Sequence, residues 1–177
     1  MKSVVRIMMA LALVVPMTIA TTTSAGAAAG TSCKTQTGTA TITPGLSLVK
    51  HPQTITANTK IGGCTGGGVT SGVGKATLKL TAPTDCTGLA KGGTKQTLTE
   101  VITWNTKATS TFTGSTLSGT GAKVLQATVS GTITAGLFKG EKVSSVIAYA
   151  VNKGQTCTKT SAIKGLTLKG LKPFVIK

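Results

Sequence analysis

Along most of the chain apolar residues recur at every second position, the period of a strand with one face on a core and one in water. Ala40 and Ile42 alternate with Thr39, Thr41 and Thr43, and Ala76, Leu78 and Leu80 alternate with Lys75, Thr77, Lys79 and Thr81. The longest run lies between Lys123 and Thr134. There Leu125, Ala127, Val129, Gly131 and Ile133 share one face, with Gln126, Thr128, Ser130, Thr132 and Thr134 on the other. From Val143 to Val151 both faces are apolar, which predicts a central strand: Val143, Ile147, Tyr149 and Val151 lie on one side, Val146, Ala148 and Ala150 on the other. Gln53 to Thr59, Thr97 to Trp104, Ser110 to Leu117 and Ala162 to Leu168 complete the set. Gly-rich breaks separate these runs at Gly62 to Gly68, Gly92-Gly93, Gly119 to Gly121 and Gly136 to Gly140, many of them short enough for antiparallel neighbours. Eight or nine short strands predict an all-β fold, a single-domain antiparallel β-sandwich, with a flattened β-barrel as the alternative.

Composition supports strands over helices. The 177 residues include 36 threonines and 23 glycines, and aromatics make up 3%; β-branching and backbone entropy both disfavour helix. The N-terminus has its own pattern: Lys2 and Arg6, an apolar run from Ile7 to Ala20, and small residues ending in Ala27-Ala28-Ala29. That is the three-part form of a secretory signal, with cleavage expected after Ala29. The run, about 14 residues, is short of the roughly 20 needed to span a bilayer, and Pro16 interrupts it. Residues 30–177 then form one β-rich domain, released without a transmembrane anchor.

Four cysteines, Cys33, Cys64, Cys86 and Cys157, suit two disulfides in an oxidising compartment. Lipidation of Cys33, the rival reading of Gly30-Thr31-Ser32-Cys33, would strand one of the other three. Three pairings are open on paper. A chain reversal around Lys50-His51-Pro52-Gln53 would bring Cys33 and Cys64 to the open end of one hairpin, which leaves Cys86 for Cys157. Spacings of 31, 22 and 71 residues contain no close pair of the kind zinc sites use, so no metal and no other cofactor is expected.

Gly63-Cys64-Thr65-Gly66-Gly67, Val69-Thr70-Ser71-Gly72, Ile102-Thr103-Trp104-Asn105 and the stretch from Ser130 to Gly140 resemble a group of small exported proteins of unknown function from high-GC Gram-positive bacteria. The resemblance implies an exported, β-rich actinobacterial domain and brings no activity and no catalytic residue.

Reactive side chains are few. His51, the one histidine, precedes Pro52 in an expected turn, which leaves no oriented base for a Ser-His-acid triad. Of the three carboxylates, Asp85 adjoins an expected disulfide and Glu141 sits in Lys139-Gly140-Glu141-Lys142, so neither is placed as half of a glycosidase pair. Glu100 shares parity with Leu98, Ile102 and Trp104, an apolar face where an unpaired carboxylate is costly. Three arrangements would relieve it: a bulge that turns Glu100 outward, a salt bridge to lysine, or a Lys-Asn isopeptide crosslink using Asn58, Asn105 or Asn152. Trp104 reads as a core residue, with sugar stacking as the functional alternative.

Charge is the strongest compositional signal. Lysine and arginine number 19 against 3 acids, and without the leader the chain keeps 17 lysines, no arginine and a formal +14. Lys75 and Lys79 share a wet strand face, and Lys164, Lys169, Lys172 and Lys177 load the C-terminal segment as the expected polyanion-binding residues. The partners such a field suits are teichoic acids, anionic lipid or extracellular nucleic acid. Absence of arginine argues against bidentate base reading, so no sequence-specific nucleic acid is expected. Together these features predict a secreted, noncatalytic binding or structural module of the cell envelope. The alternative is a carbohydrate-binding or enzyme-inhibitor protein that uses its Gly-rich loops.

Overall fold

A computed structural model of the chain describes residues 30–91, 95–120 and 125–177. The expected leader, the Gly92-Gly93 break and part of the break at Gly119 to Gly121 lie outside the described residues. Eight strands and one short helix follow in order: β1 (Thr31–Leu46), β2 (His51–Thr65), β3 (Ser71–Thr84), α1 (Cys86–Lys91), β4 (Lys95–Trp104), β5 (Thr109–Thr120), β6 (Leu125–Gly136), β7 (Lys142–Val151) and β8 (Ile163–Ile176). All eight runs of alternation are strands.

Every strand is antiparallel to its neighbours, and β8 returns to pair with β1, closing the sheet into a barrel. Ala40 on β1 stands opposite Ala57 on β2 and Leu166 on β8. This corrects the two-layer sandwich in favour of the barrel. Alternation is written identically for both, because in each a strand has one inner and one outer face. The strands are also longer than expected, at 10 to 16 residues. β7 is flanked on both sides like every strand of a closed sheet, and its second apolar face is no second core: Ala148 is buried, but Val146 is half-buried and Ala150 exposed.

The inner face divides into two clusters. At one end Trp104, Phe112, Phe138 and Phe174 pack with Ile102, Ile133 and Ile176. At the other Ile42, Leu46, Tyr149, Ile163, Leu166 and Leu168 pack together. Glycines on the inner face make room for the large rings. A Cβ on Gly72 would lie 2.9 Å from the Trp104 ring, and Gly114 and Gly131 face each other across β5 and β6 under the ring of Phe112. The Trp104 indole N–H donates to Ser110 Oγ at 2.8 Å, and its ring meets Phe138 edge-on at 5.6 Å between centroids. Burial and that bond settle Trp104 as core, which removes it as a sugar platform.

Pro44, which has no N–H, falls where the pairing of β1 with β8 shifts register between Thr41 and Leu46. The buried Gln53 amide serves the backbone there, receiving the Gly45 N–H at 3.1 Å and donating to the Gly45 carbonyl at 2.9 Å. Cys33 and Cys64 are direct cross-strand partners joined by a disulfide, and Cys86–Cys157 ties α1 to the segment between β7 and β8. Both pairings are those expected.

On the outer face one row of threonines crosses six strands in register: Thr41, Thr56, Thr77, Thr99, Thr113 and Thr132, all exposed. A polar exterior around an apolar interior is the reverse of a barrel that faces lipid. Among the described residues no helix is long and apolar enough to cross a membrane.

Candidate functional site

The lysines are distributed unevenly around the barrel. Lys142 on β7, Lys164, Lys169 and Lys172 on β8, Lys34 on β1, Lys60 on β2, and Lys75 and Lys79 on β3 are all exposed. These five strands are contiguous through the β8–β1 pairing and contain no Asp or Glu. By contrast β5 and β6 hold no lysine, and β4 has only Lys95 at its start. Half of the outer face is therefore basic, and the other half is neutral threonine and serine.

Within the basic half, Thr37 pairs with both Lys60 and Lys169, which places those two lysines on either side of it, about 10 Å apart at the usual strand spacing. Lys75 stands opposite Asn58, and Lys79 opposite Thr54. Lys164, Lys169 and Lys172 lie along β8, and Lys177 follows it. The first and last of the four are about 40 Å apart at 3.3 Å per residue, so they form a line along the barrel rather than a compact cluster. Sequence reasoning singled out that line and the Lys75–Lys79 face of β3, and missed Lys34, Lys60 and Lys142, because the contributions of β1, β2 and β7 join the face only through pairing.

The three acids lie outside these strands. Asp85 caps the short helix, accepting the Gly88 N–H at 2.6 Å and the Thr87 hydroxyl at 2.8 Å. Chiefly the Gly88 bond, then the Thr87 bond, hold its carboxyl below the usual aspartate range. Glu141 is half-buried in the turn between β6 and β7. His51 is exposed at the start of β2 and stands opposite Thr84, the residue before Asp85. Among the described residues no group of three or more His, Cys, Asp or Glu side chains could hold a metal ion.

Glu100 follows none of the three arrangements expected. It is 3% exposed and points into the lumen, so no bulge turns it out. Its partner is a hydroxyl, not lysine: Thr59 on β2 donates to Oε1 at 2.8 Å. No isopeptide set assembles around it, since Asn58 and Asn105 are exposed and Asn152 accepts the Thr167 hydroxyl of β8 at 2.9 Å, at the far side of the sheet order. Gly74 opposite leaves the notch that admits the carboxyl, because a Cβ there would collide with Oε1 and with the Thr59 hydroxyl. Burial pushes the Glu100 carboxyl above the usual glutamate value of 4.5, and the Thr59 bond offsets part of that.

Around Glu100 lies a cavity of about 100 Å³, lined from all sides of the barrel by apolar residues together with Gln36, Thr59, Thr116 and Tyr149. Gln36 Oε1 is taken by the Ser145 hydroxyl at 2.8 Å. Comparison with known proteins adds no relative to this description: no family model matches the chain, and neither the curated proteins nor the solved structures yield a match.

Proposed function

We propose that this chain is a secreted, noncatalytic binding module of the cell envelope that holds linear anionic polymers on its basic half. The observation that carries this reading is the segregation of eight lysines onto five contiguous strands that have no acidic residue. Opposite charges would normally be interspersed on a soluble surface, and their absence here leaves a one-signed field. Lysine supplies compact charges without a rigid fork, so the partner is chosen by charge density and not by base or sugar identity. A polyol phosphate chain of the teichoic acid type has the repeating monoanions that such a face attracts, with release of counterions as the driving force. The two disulfides are compatible with the oxidising exterior that this role requires.

The test is retention on immobilised poly(glycerol phosphate) and on neutral dextran, from about 0.02 M to about 0.5 M salt, where the screening length falls to about 4 Å. Wild type should be held by the phosphate polymer only and released as salt rises. A variant with Lys60, Lys75, Lys169 and Lys172 changed to Gln should elute much earlier than one with Lys50, Lys139, Lys153 and Lys159 changed to Gln. Equal shifts for the two variants would show net charge without a face. Salt-insensitive retention on the neutral glycan would favour the carbohydrate-binding alternative.

A further inference from the structure

The lumen differs from a packed barrel core. Ile55, Ala57, Leu78 and Ile147 have inward parity and pack at the edges of the two clusters, yet they are only half-buried, because they also line open space. An eight-stranded barrel is just wide enough either to fill with side chains or to hold one small ligand. The aromatic cluster around Trp104 does the first at one end, and the small residues Ala40, Ala57, Ala76 and Ala127 leave the second possible in the middle. The space of about 100 Å³ corresponds to a few carbon atoms, somewhat below the roughly 150 Å³ engineered apolar cavity that accepts benzene.

Into this apolar space projects one carboxyl. The surrounding elements present no cation to it: β2 offers Thr59, β3 Gly74 and Ala76, β5 Phe112 and Thr116, β1 Gln36, and β6 and β8 only apolar residues. Tyr149 on β7 is the other titratable group of the lining. A buried carboxylate is stabilised by a positive partner with good hydrogen-bond geometry, and the described residues supply none.

We propose that the lumen is a binding site for a small apolar amine, with its hydrocarbon part between Ile55, Leu78, Leu98 and Ile147 and its nitrogen on the Glu100 carboxyl. The basic exterior disfavours entry of an ammonium ion, so the amine enters as the free base. It takes the carboxyl proton of Glu100, giving an alkylammonium–carboxylate pair with no net gain or loss of protons inside the barrel. Outside, the amine is protonated at neutral pH, so the overall reaction releases one proton. Affinity therefore rises about tenfold per pH unit until the Glu100 carboxyl ionises in the free protein, and levels off above that.

The test uses isobutylamine, with isobutanol and isobutyric acid as shape-matched probes, followed by the methyl resonances of the lining leucines and isoleucines and by calorimetry at pH 5 to 8. The expected result is binding of the amine with the stated rise in affinity, at least tenfold weaker binding of the alcohol, and none of the acid. Glu100→Gln, checked for folding by its thermal melt, should lose at least tenfold for the amine and keep rising with pH without levelling off, because it has no carboxyl to ionise, whereas Ala57→Leu, which fills the cavity and keeps Glu100, should abolish binding. Equal affinities for amine and alcohol, an unchanged Glu100→Gln, or no shift of the lumen methyl groups would overturn the proposal. Because the site is inside and the lysine face is outside, polymer retention and amine binding succeed or fail independently.

Discussion

Glu100 keeps parity with Leu98, Ile102 and Trp104 along β4, so regular strand geometry turns it inward, and Gly74 and Thr59 make the position tolerable. The apolar parity was legible in the alternation; that the strand stays regular and turns Glu100 inward was not, nor was the partner, because Thr59 lies 41 residues away and meets Glu100 only through the β2–β3–β4 pairing. The burial has a consequence for pH. In the unfolded chain Glu100 ionises near 4.5, whereas in the barrel it holds its proton to higher pH. Above 4.5 the unfolded state gains stability by ionising and the folded state does not, so this residue lowers folding stability by about 1.4 kcal/mol per pH unit up to its folded value, and by a constant amount beyond. Glu100→Gln should therefore match wild type at pH 4 and exceed it at pH 7, as measured by urea unfolding across that range. A difference between the two proteins that stays the same at every pH would contradict this account.

Among the elements, the strands were legible and their ends were not. β1, β2 and β3 extend well past the alternating runs, because glycines such as Gly62, Gly72 and Gly74 are silent in a hydrophobic pattern yet pair normally in the sheet. α1 was not foreseen: six residues give no helical period, and it exists where Asp85 caps it and Cys86 anchors it. The Cys86–Cys157 bond joins α1 to the β7–β8 connection at a separation of 71 residues, next to the backbone bonds from Cys86 N–H to Ser47 and from Leu48 N–H to Thr158. Replacing both cysteines by serine should cost about 4 kcal/mol in the chain-entropy account. Amide exchange should then quicken at 47–50 and 152–162 while the centres of β5 and β6 keep their protection. A loss of protection spread evenly over all strands would show that the bond supports the whole barrel and not this end.

At the scale of the molecule, the dominant quantity is the charge. Within residues 30–177, seventeen lysines against three acids, with Glu100 and Asp85 bound to uncharged partners, leave the folded chain repelling itself across the basic half. Unfolding relieves that repulsion by moving the lysines apart, so screening should favour the fold. Raising sodium chloride from about 0.01 M to about 0.2 M should lift the melting temperature of residues 30–177 by a few degrees, on the order of 1 kcal/mol. The Lys60, Lys75, Lys169 and Lys172 to Gln variant should melt higher than wild type at the lower salt and show a smaller gain. A melting temperature indifferent to salt in wild type would mean that the lysines are far enough apart to ignore one another.

Alternation with period two determined which residues form strands and which of their faces is dry, and the even cysteine count with a chain reversal expected around Lys50 to Gln53, and found at residues 47–50, pointed to the two crosslinks. Both are local properties, carried by neighbours in the chain or by one reversal of it. Closure of the sheet was decided only in three dimensions, since it rests on β1 meeting β8, a pairing between residues up to 145 apart such as Thr31 and Ile176. From closure come the features that matter for function: a lumen with one carboxyl and no cation, and a basic half assembled from both ends of the chain. A one-dimensional pattern can say that a side chain points inward, but whether that interior is a seam between two sheets or a cavity inside one depends on the long-range register that joins the first strand to the last.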